Sequence, residues 1–194
     1  YILVADTLKE DSAAALAALK KMDICTVMLT GDRKENAERT AKELSLDRFY
    51  SELLPEEKLQ IAEELMAKKD KNSTLCFVGD GINDAPVLAG ADVGIAMGAL
   101  GSDAAVEAAD VVLMNDRPSD VCKAIGICRK TMRIVKENIV FALAVKFGVM
   151  LLIGLTAVLP GLNILESYAG ELAVFADVGV SVVAILNATR ALKS

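Results

Sequence analysis

The sequence predicts an α/β protein, a domain built on a parallel sheet, followed by a two-helix transmembrane hairpin. Three observations carry this prediction. Short apolar runs alternate with amphipathic helical segments over residues 1–137, the pattern of a parallel sheet with helices on both faces. Residues 138–189 contain a single Lys and no Arg. Hydrophobic residues make up 54% of the 194, and the mean hydropathy of +0.42 is high for a soluble protein.

The elements follow in order. "YILVA" is a short apolar strand, and the chain opens there without an initiator Met or a signal peptide, so it reads as a piece of a longer protein. "EDSAAALAALKKM" is a helix with Asp11 or Ser12 as N-cap and Leu16, Leu19 and Met22 on one face. "ICTVML" is a buried strand and "RKENAERTAKEL" a helix. "PEEKLQIAEELMAKK" is a further helix with Pro55 in its first turn. "TLCFVG", "VGIAM" and "DVVLM" are strands. Residues 118–137 read as a stalk helix that continues into a first span, residues 138–159, long enough for a hydrocarbon core of about 30 Å. A loop, 160–171, carries Pro160, Gly161 and Glu166, and a second span covers 172–190.

Charge and cysteine content narrow the function. With 21 Lys and Arg against 27 Asp and Glu the net charge is −6, which argues against nucleic acid as a partner. The cysteines are Cys25, Cys76, Cys122 and Cys128, with no C-x-x-C pair. Cys25 and Cys76 lie in apolar strand-like runs and are expected to be core thiols in a reduced, cytosolic setting.

Two polar clusters fall at the carboxyl ends of strands, where such sheets bind ligands. Thr30-Gly31-Asp32 follows "ICTVML", and Gly79-Asp80-Gly81-Ile82-Asn83-Asp84 follows "TLCFV". Lys58 lies between them at the start of a helix. A Thr hydroxyl and exposed N–H groups can cradle a phosphate, and a Lys adds a point charge. The carboxylates of Asp80 and Asp84 would repel phosphate unless a divalent cation lay between. Mg²⁺, which takes few carboxylates and bridges to phosphate, fits that place. Alone, "TGD" or "GDG" is usually a turn; together, and in this order, the three motifs are far more specific.

At these residues a resemblance emerges. "MLTGD", "LLPEEK" and "VGDGINDAPVLAGADVGIAMG" resemble the phosphorylation domain of a P-type ATPase, a haloacid-dehalogenase-like (Rossmann-like) fold. The opening "VADTLKEDSAAALAALKK" resembles the return of the chain from the nucleotide-binding domain. The resemblance implies ATP and Mg²⁺ as cofactors. It implies catalytic roles for Thr30, Gly31 and Asp32 at a phosphate contact, for Lys58 in neutralising the phosphoryl group, and for Asn83 and Asp84 in completing the site. Asp80 is implied as the main Mg²⁺ ligand, with Asp84 beside it. The nucleophilic aspartate of the family's DKTGT motif does not occur in this sequence. The phosphorylation domain, residues 1–117, is therefore expected to lack its N-terminal part, and the chain alone is expected to be inactive.

The spans carry their own signal. Arg129, Lys130, Arg133 and Lys136 precede the first, Arg190 and Lys193 follow the second, and the loop between has neither residue type. Basic residues mark the cytosolic side, so both ends of the hairpin are expected in the cytosol of an integral (cell or plasma) membrane protein. In the first span Lys146 lies ten residues, roughly 15 Å, beyond Lys136, and in the second Asp177 lies thirteen residues, roughly 20 Å, before Arg190. The two charges are expected at similar depth, Asp177 as a ligand for a transported divalent cation and Lys146 as its built-in counter-ion.

"AVKFGVMLL" with "AVFADVGVSVVAILNATRAL" resembles the last two helices of the zinc/cadmium/lead exporters among heavy-metal P-type ATPases. A carboxylate suits Zn²⁺ or Cd²⁺ better than Cu⁺. At Glu171 that branch would have an aromatic residue, and Glu171 or Glu166 is a candidate for the exit path. The partners implied are the lipid bilayer, the divalent metal ion and the missing N-terminal half of the polypeptide. The alternatives are a P-type pump for another cation, such as Cu⁺ or K⁺, and a membrane-anchored haloacid-dehalogenase-type phosphatase.

Overall fold

A computed structural model describes residues 8–79, 82–98, 103–156 and 168–192. The strand expected at "YILVA", and the residues Asp80, Gly81, Pro160, Gly161, Glu166 and Lys193, lie outside the described residues. The chain divides into two compact units, Tyr1–Lys123 and Ala124–Ser194.

In the first unit the elements run α1 (Ser12–Lys21), β1 (Val27–Leu29), α2 (Lys34–Glu43), β2 (Arg48–Tyr50) and α3 (Pro55–Lys68). Then come β3 (Cys76–Gly79), a 3₁₀ turn (Ile82–Asp84), α4 (Ala85–Gly90), β4 (Val93–Met97), α5 (Asp103–Ala108) and β5 (Val111–Leu113). Every described pairing is parallel, as the strand–helix alternation requires. Among the described residues the strands pair in two groups, β1–β2 and β3–β4–β5. β2 was not legible as a strand, being three residues with a charge at the first.

β4 is the centre of the larger sheet. Cys76 pairs with Val93 and Gly79 with Ala96 on one side, and Ile95 with Val111 on the other. Ile95, Ala96 and Met97 are buried, and Val87 and Leu88 of α4 are wholly so. The helix lies so close that a Cβ at Gly94 would stand 2.4 Å from the Leu88 carbonyl oxygen. No side chain fits there, and that contact sets the α4–β4 spacing. On α1, α2, α3 and α5 the buried residues are small: Ala15, Ala37, Ala41, Ala62 and Ala105.

The cysteine expectation is corrected. Cys25 and Cys76 are exposed, as is Cys128, and Cys122 is half-buried; all four are free thiols. Both lie where their strands begin: Cys76 is the first residue of β3, and Cys25 precedes β1.

α6 is one unbroken helix, Pro118–Thr156, and α7 covers Ala169–Ala188, ending in a 3₁₀ turn, Thr189–Leu192. Both contain stretches long and apolar enough to cross a membrane. Their apolar side chains point outward: Phe147 is 61% exposed, Leu151 65% and Phe175 77%. A helix apolar all round and unburied suits lipid or neighbouring helices, not water.

Candidate functional site

The first constellation is assembled by backbone hydrogen bonds at the carboxyl end of β1. Thr30 N–H donates to Tyr50 O (3.0 Å), and Leu53 N–H returns to Thr30 O (3.1 Å). Glu52 N–H donates to Asp32 O (2.9 Å), and Asp32 N–H to the Thr30 hydroxyl oxygen (3.1 Å). Residues 30–32 and 52–53 thus form one knot. A Cβ at Gly31 would meet Leu53 O at 3.2 Å, so glycine is what lets the two segments approach.

The knot places the start of α3. Pro55 is its first residue, preset for a helical φ and free of an unpaired N–H. The Glu57 carboxylate accepts from Leu54 N–H (2.8 Å), satisfying a donor the helix leaves open. Lys58 follows on the first turn.

Lys58 meets the second cluster. Its Nζ lies 2.9 Å from Asp84 Oδ1, with the two side chains only 18% and 14% exposed. Asp84 stands at the N-cap position of α4, yet its carboxylate makes no capping bond; it turns to Lys58 instead. Gly79, the last residue of β3, makes room for it: a Cβ there would stand 3.0 Å from Asp84 Cβ and 3.1 Å from Asp84 Oδ2. Asn83 is exposed beside it, as are Gly31 and Asp32. So the structure joins Lys58 to Asp84, ties Thr30, Gly31 and Asp32 to the turn that leads into α3, and leaves Asp80 outside the described residues.

Among the described residues no group of three or more His, Cys, Asp or Glu is placed to hold a metal ion. The donor chemistry nonetheless fits Mg²⁺, which needs only one or two carboxylates beside water and phosphate oxygens. Asp84 supplies one such carboxylate from the turn before α4, in a cradle that a side chain at Gly79 would fill.

The second constellation lies in the other unit. Lys146 of α6 and Asp177 of α7 form an ion pair, Nζ to Oδ1 2.9 Å, with side chains 59% and 66% exposed. The Ser181 hydroxyl donates to Asp177 O (2.8 Å), one turn along the same helix. Sequence reading missed a neighbouring set. Asn138 Nδ2–H donates to Ala184 O (3.1 Å), and Asn187 Nδ2–H to Asn138 Oδ1 (2.8 Å). Arg190 donates to Asn187 Oδ1 (2.7 Å) and pairs with Glu137 (3.2 Å). The available signal was two amides near the ends of apolar runs.

A family model for haloacid dehalogenase-like hydrolases matches residues 1–92. A zinc-transporting ATPase of Synechocystis sp. is 55% identical over the whole chain, which spans 25% of that relative. A cadmium, zinc and cobalt-transporting ATPase of Bacillus subtilis is 49% identical over 99% of the chain and 26% of its own length. The crystal structure of a zinc-transporting PIB-type ATPase in the E2.Pi state superposes with a TM-score of 0.82 at 37% identity, over 96% of this chain and 28% of that one. The chain spans about a quarter of the curated relatives it matches. Along its whole length the chain is homologous to heavy-metal P-type ATPases.

Proposed function

We propose that the chain is part of an ATP-driven exporter of divalent heavy-metal ions, Zn²⁺ or Cd²⁺, that works through an aspartyl-phosphate formed outside these residues. Residues 1–117 are assigned to the phosphorylation domain, 118–137 to a stalk, 138–159 and 172–190 to the spans, and 160–171 to the loop outside the cytosol. The nucleophilic carboxylate takes the γ-phosphoryl group of ATP, ADP departs, and water later releases phosphate.

In this reading Lys58 sits over the transferred group and neutralises its oxygens, because charge compensation and positioning supply most of the catalysis in phosphoryl transfer. Asp84 holds the Lys58 ammonium in place. The Thr30 hydroxyl, whose oxygen is held by Asp32 N–H, and the N–H of Gly31 bind phosphoryl oxygens, and Asn83 orients the approaching water or phosphate. Mg²⁺, held by Asp80 with Asp84, would shield the carboxylates from the phosphate and draw charge from it.

The observation that carries the transport reading is the Lys146–Asp177 ion pair between two apolar helices. Placing charges in a span is costly, and a membrane-anchored phosphatase has no use for the expense. Asp177 ligates the metal ion, and Lys146 takes over the carboxylate once the metal leaves, which favours release. Thiolate-seeking Cu⁺ is poorly served by a carboxylate.

The test is ATP hydrolysis by the full-length polypeptide with Zn²⁺, Cd²⁺ or Cu⁺, for wild type and Asp177→Ala. Stimulation by Zn²⁺ or Cd²⁺ that vanishes in the variant is the expected result. Stimulation by Cu⁺ alone, or indifference to Asp177, overturns the assignment.

A further inference from the structure

We propose that Asn138 and Asn187 are positioning residues, an amide clasp that fixes the register of the two spans so that Lys146 and Asp177 face each other. The proposal rests on the transport reading for its functional consequence, and on the hydrogen bonds alone for its structural one.

The clasp uses its polar atoms economically. The Asn138 amide donates to Ala184 O and accepts from the Asn187 amide, which in turn accepts from Arg190. Both side chains are half-buried. An amide in apolar surroundings is costly unless bonded, so each holds the other in place. Arg190 extends the chain of bonds back to Glu137 on α6, and the cross-link therefore joins α6 to α7 twice, through residues adjacent in sequence.

Register follows from having two tie points at different depths. Asn138 precedes Lys146 by eight residues and Asn187 follows Asp177 by ten, about 12 Å and 15 Å along their helices. The difference of about 3 Å lies within reach of the flexible Lys146 side chain. A single tie point leaves two helices free to pivot; the clasp and the ion pair together do not. Sliding one helix by a turn, about 5.4 Å, would break every bond named here. Interhelical hydrogen bonds in membranes are individually modest, so the clasp can set the register without freezing it.

The test uses the full-length polypeptide with Asn138→Leu, Asn187→Leu and the double variant, Leu having the same count and branching of side-chain heavy atoms as Asn but no polar group. The metal concentration for half-maximal ATP hydrolysis should rise about threefold or more in each single variant, with kcat changed less. The double variant should be no worse than the weaker single one by more than about twofold, since both lose the same bond. Half-activation within about twofold of wild type, or a loss in kcat alone, overturns the positioning role. A structural readout separates this from failure of the transport reading. Spin labels at Leu143 and Ser181 of the full-length polypeptide, in lipid nanodiscs, should give a narrow distance distribution that broadens or shifts in Asn187→Leu. An unchanged distribution overturns the clasp. Wild-type metal stimulation in Asp177→Ala overturns the transport reading, and the spin-label distances then decide the clasp by themselves.

Discussion

Lys146 Nζ stands 2.9 Å from Asp177 Oδ1, a salt bridge between two helices whose other side chains are largely apolar. The pair satisfies each charge with the other, and a cation arriving at Asp177 must displace the ammonium. Metal binding and breakage of this bridge are then one event.

If that is so, Lys146→Ala leaves Asp177 without its internal cation. Metal should be retained longer and turnover should fall by about tenfold or more, the scale of removing a group that orients a metal ligand. Metal-stimulated hydrolysis at saturating ATP, with metal release followed by a chelating dye, checks this. Unchanged turnover would refute the counter-ion role.

Lys58→Ala removes the cation from the phosphate site and leaves the Asp84 carboxylate part-buried without its partner. Phosphoryl transfer should drop by about 10²-fold or more. The formation rate of the acid-stable phosphoenzyme in the full-length polypeptide reads this directly, while ATP binding should change far less.

Gly94→Ala inserts a methyl group 2.4 Å from a backbone oxygen, that of Leu88. Neither the central strand β4 nor α4 can yield cheaply, and a loss of about 1–3 kcal/mol of stability is expected. A urea unfolding midpoint that stays at the wild-type value would show that α4 is not held to β4 as described.

Acid should weaken the contact that joins Thr26 to Asp47. The Asp47 carboxylate accepts from Thr26 N–H (2.7 Å) and from the Thr26 hydroxyl (3.0 Å), and these bonds, the backbone one first, hold its pKa below the usual 3.8. A carboxyl group with a folded pKa below its unfolded one stabilises the fold above the unfolded pKa. That contribution is lost as pH falls through the folded value. Asp47→Asn should therefore be less stable than wild type at pH 7, with the difference shrinking below about pH 4. Denaturant midpoints compared at pH 7 and pH 3 test the sign.

Much of this was legible because it was written in local chemistry. Thr30, Lys58 and Asp84 announce themselves by residue type and by position at strand ends and a helix start, and Lys146 and Asp177 by charge within apolar runs. What stayed hidden depends on distant partners. Nothing in "RFY" says that Arg48 will lie beside Val27, and nothing in "TLCFVG" says that β3 will start only at Cys76, which is why Cys76 reads as core and is exposed. Asn138 and Asn187 escaped because an amide carries no charge and barely interrupts a hydropathy profile; only their meeting across two helices makes them conspicuous. The nearness of Leu88 O to Gly94 could not be read at all, since it is a distance between backbones.

The unbroken run of α6 has a mechanical consequence. At 39 residues it is a rod about 58 Å long, with no proline after the first residue to serve as a joint. Asn138 and Lys146 stand on it eight residues apart, about 12 Å. With no joint between them, a turn of the helix about its axis at Asn138 is the same turn at Lys146, so the amide clasp and the charge pair cannot be released one without the other.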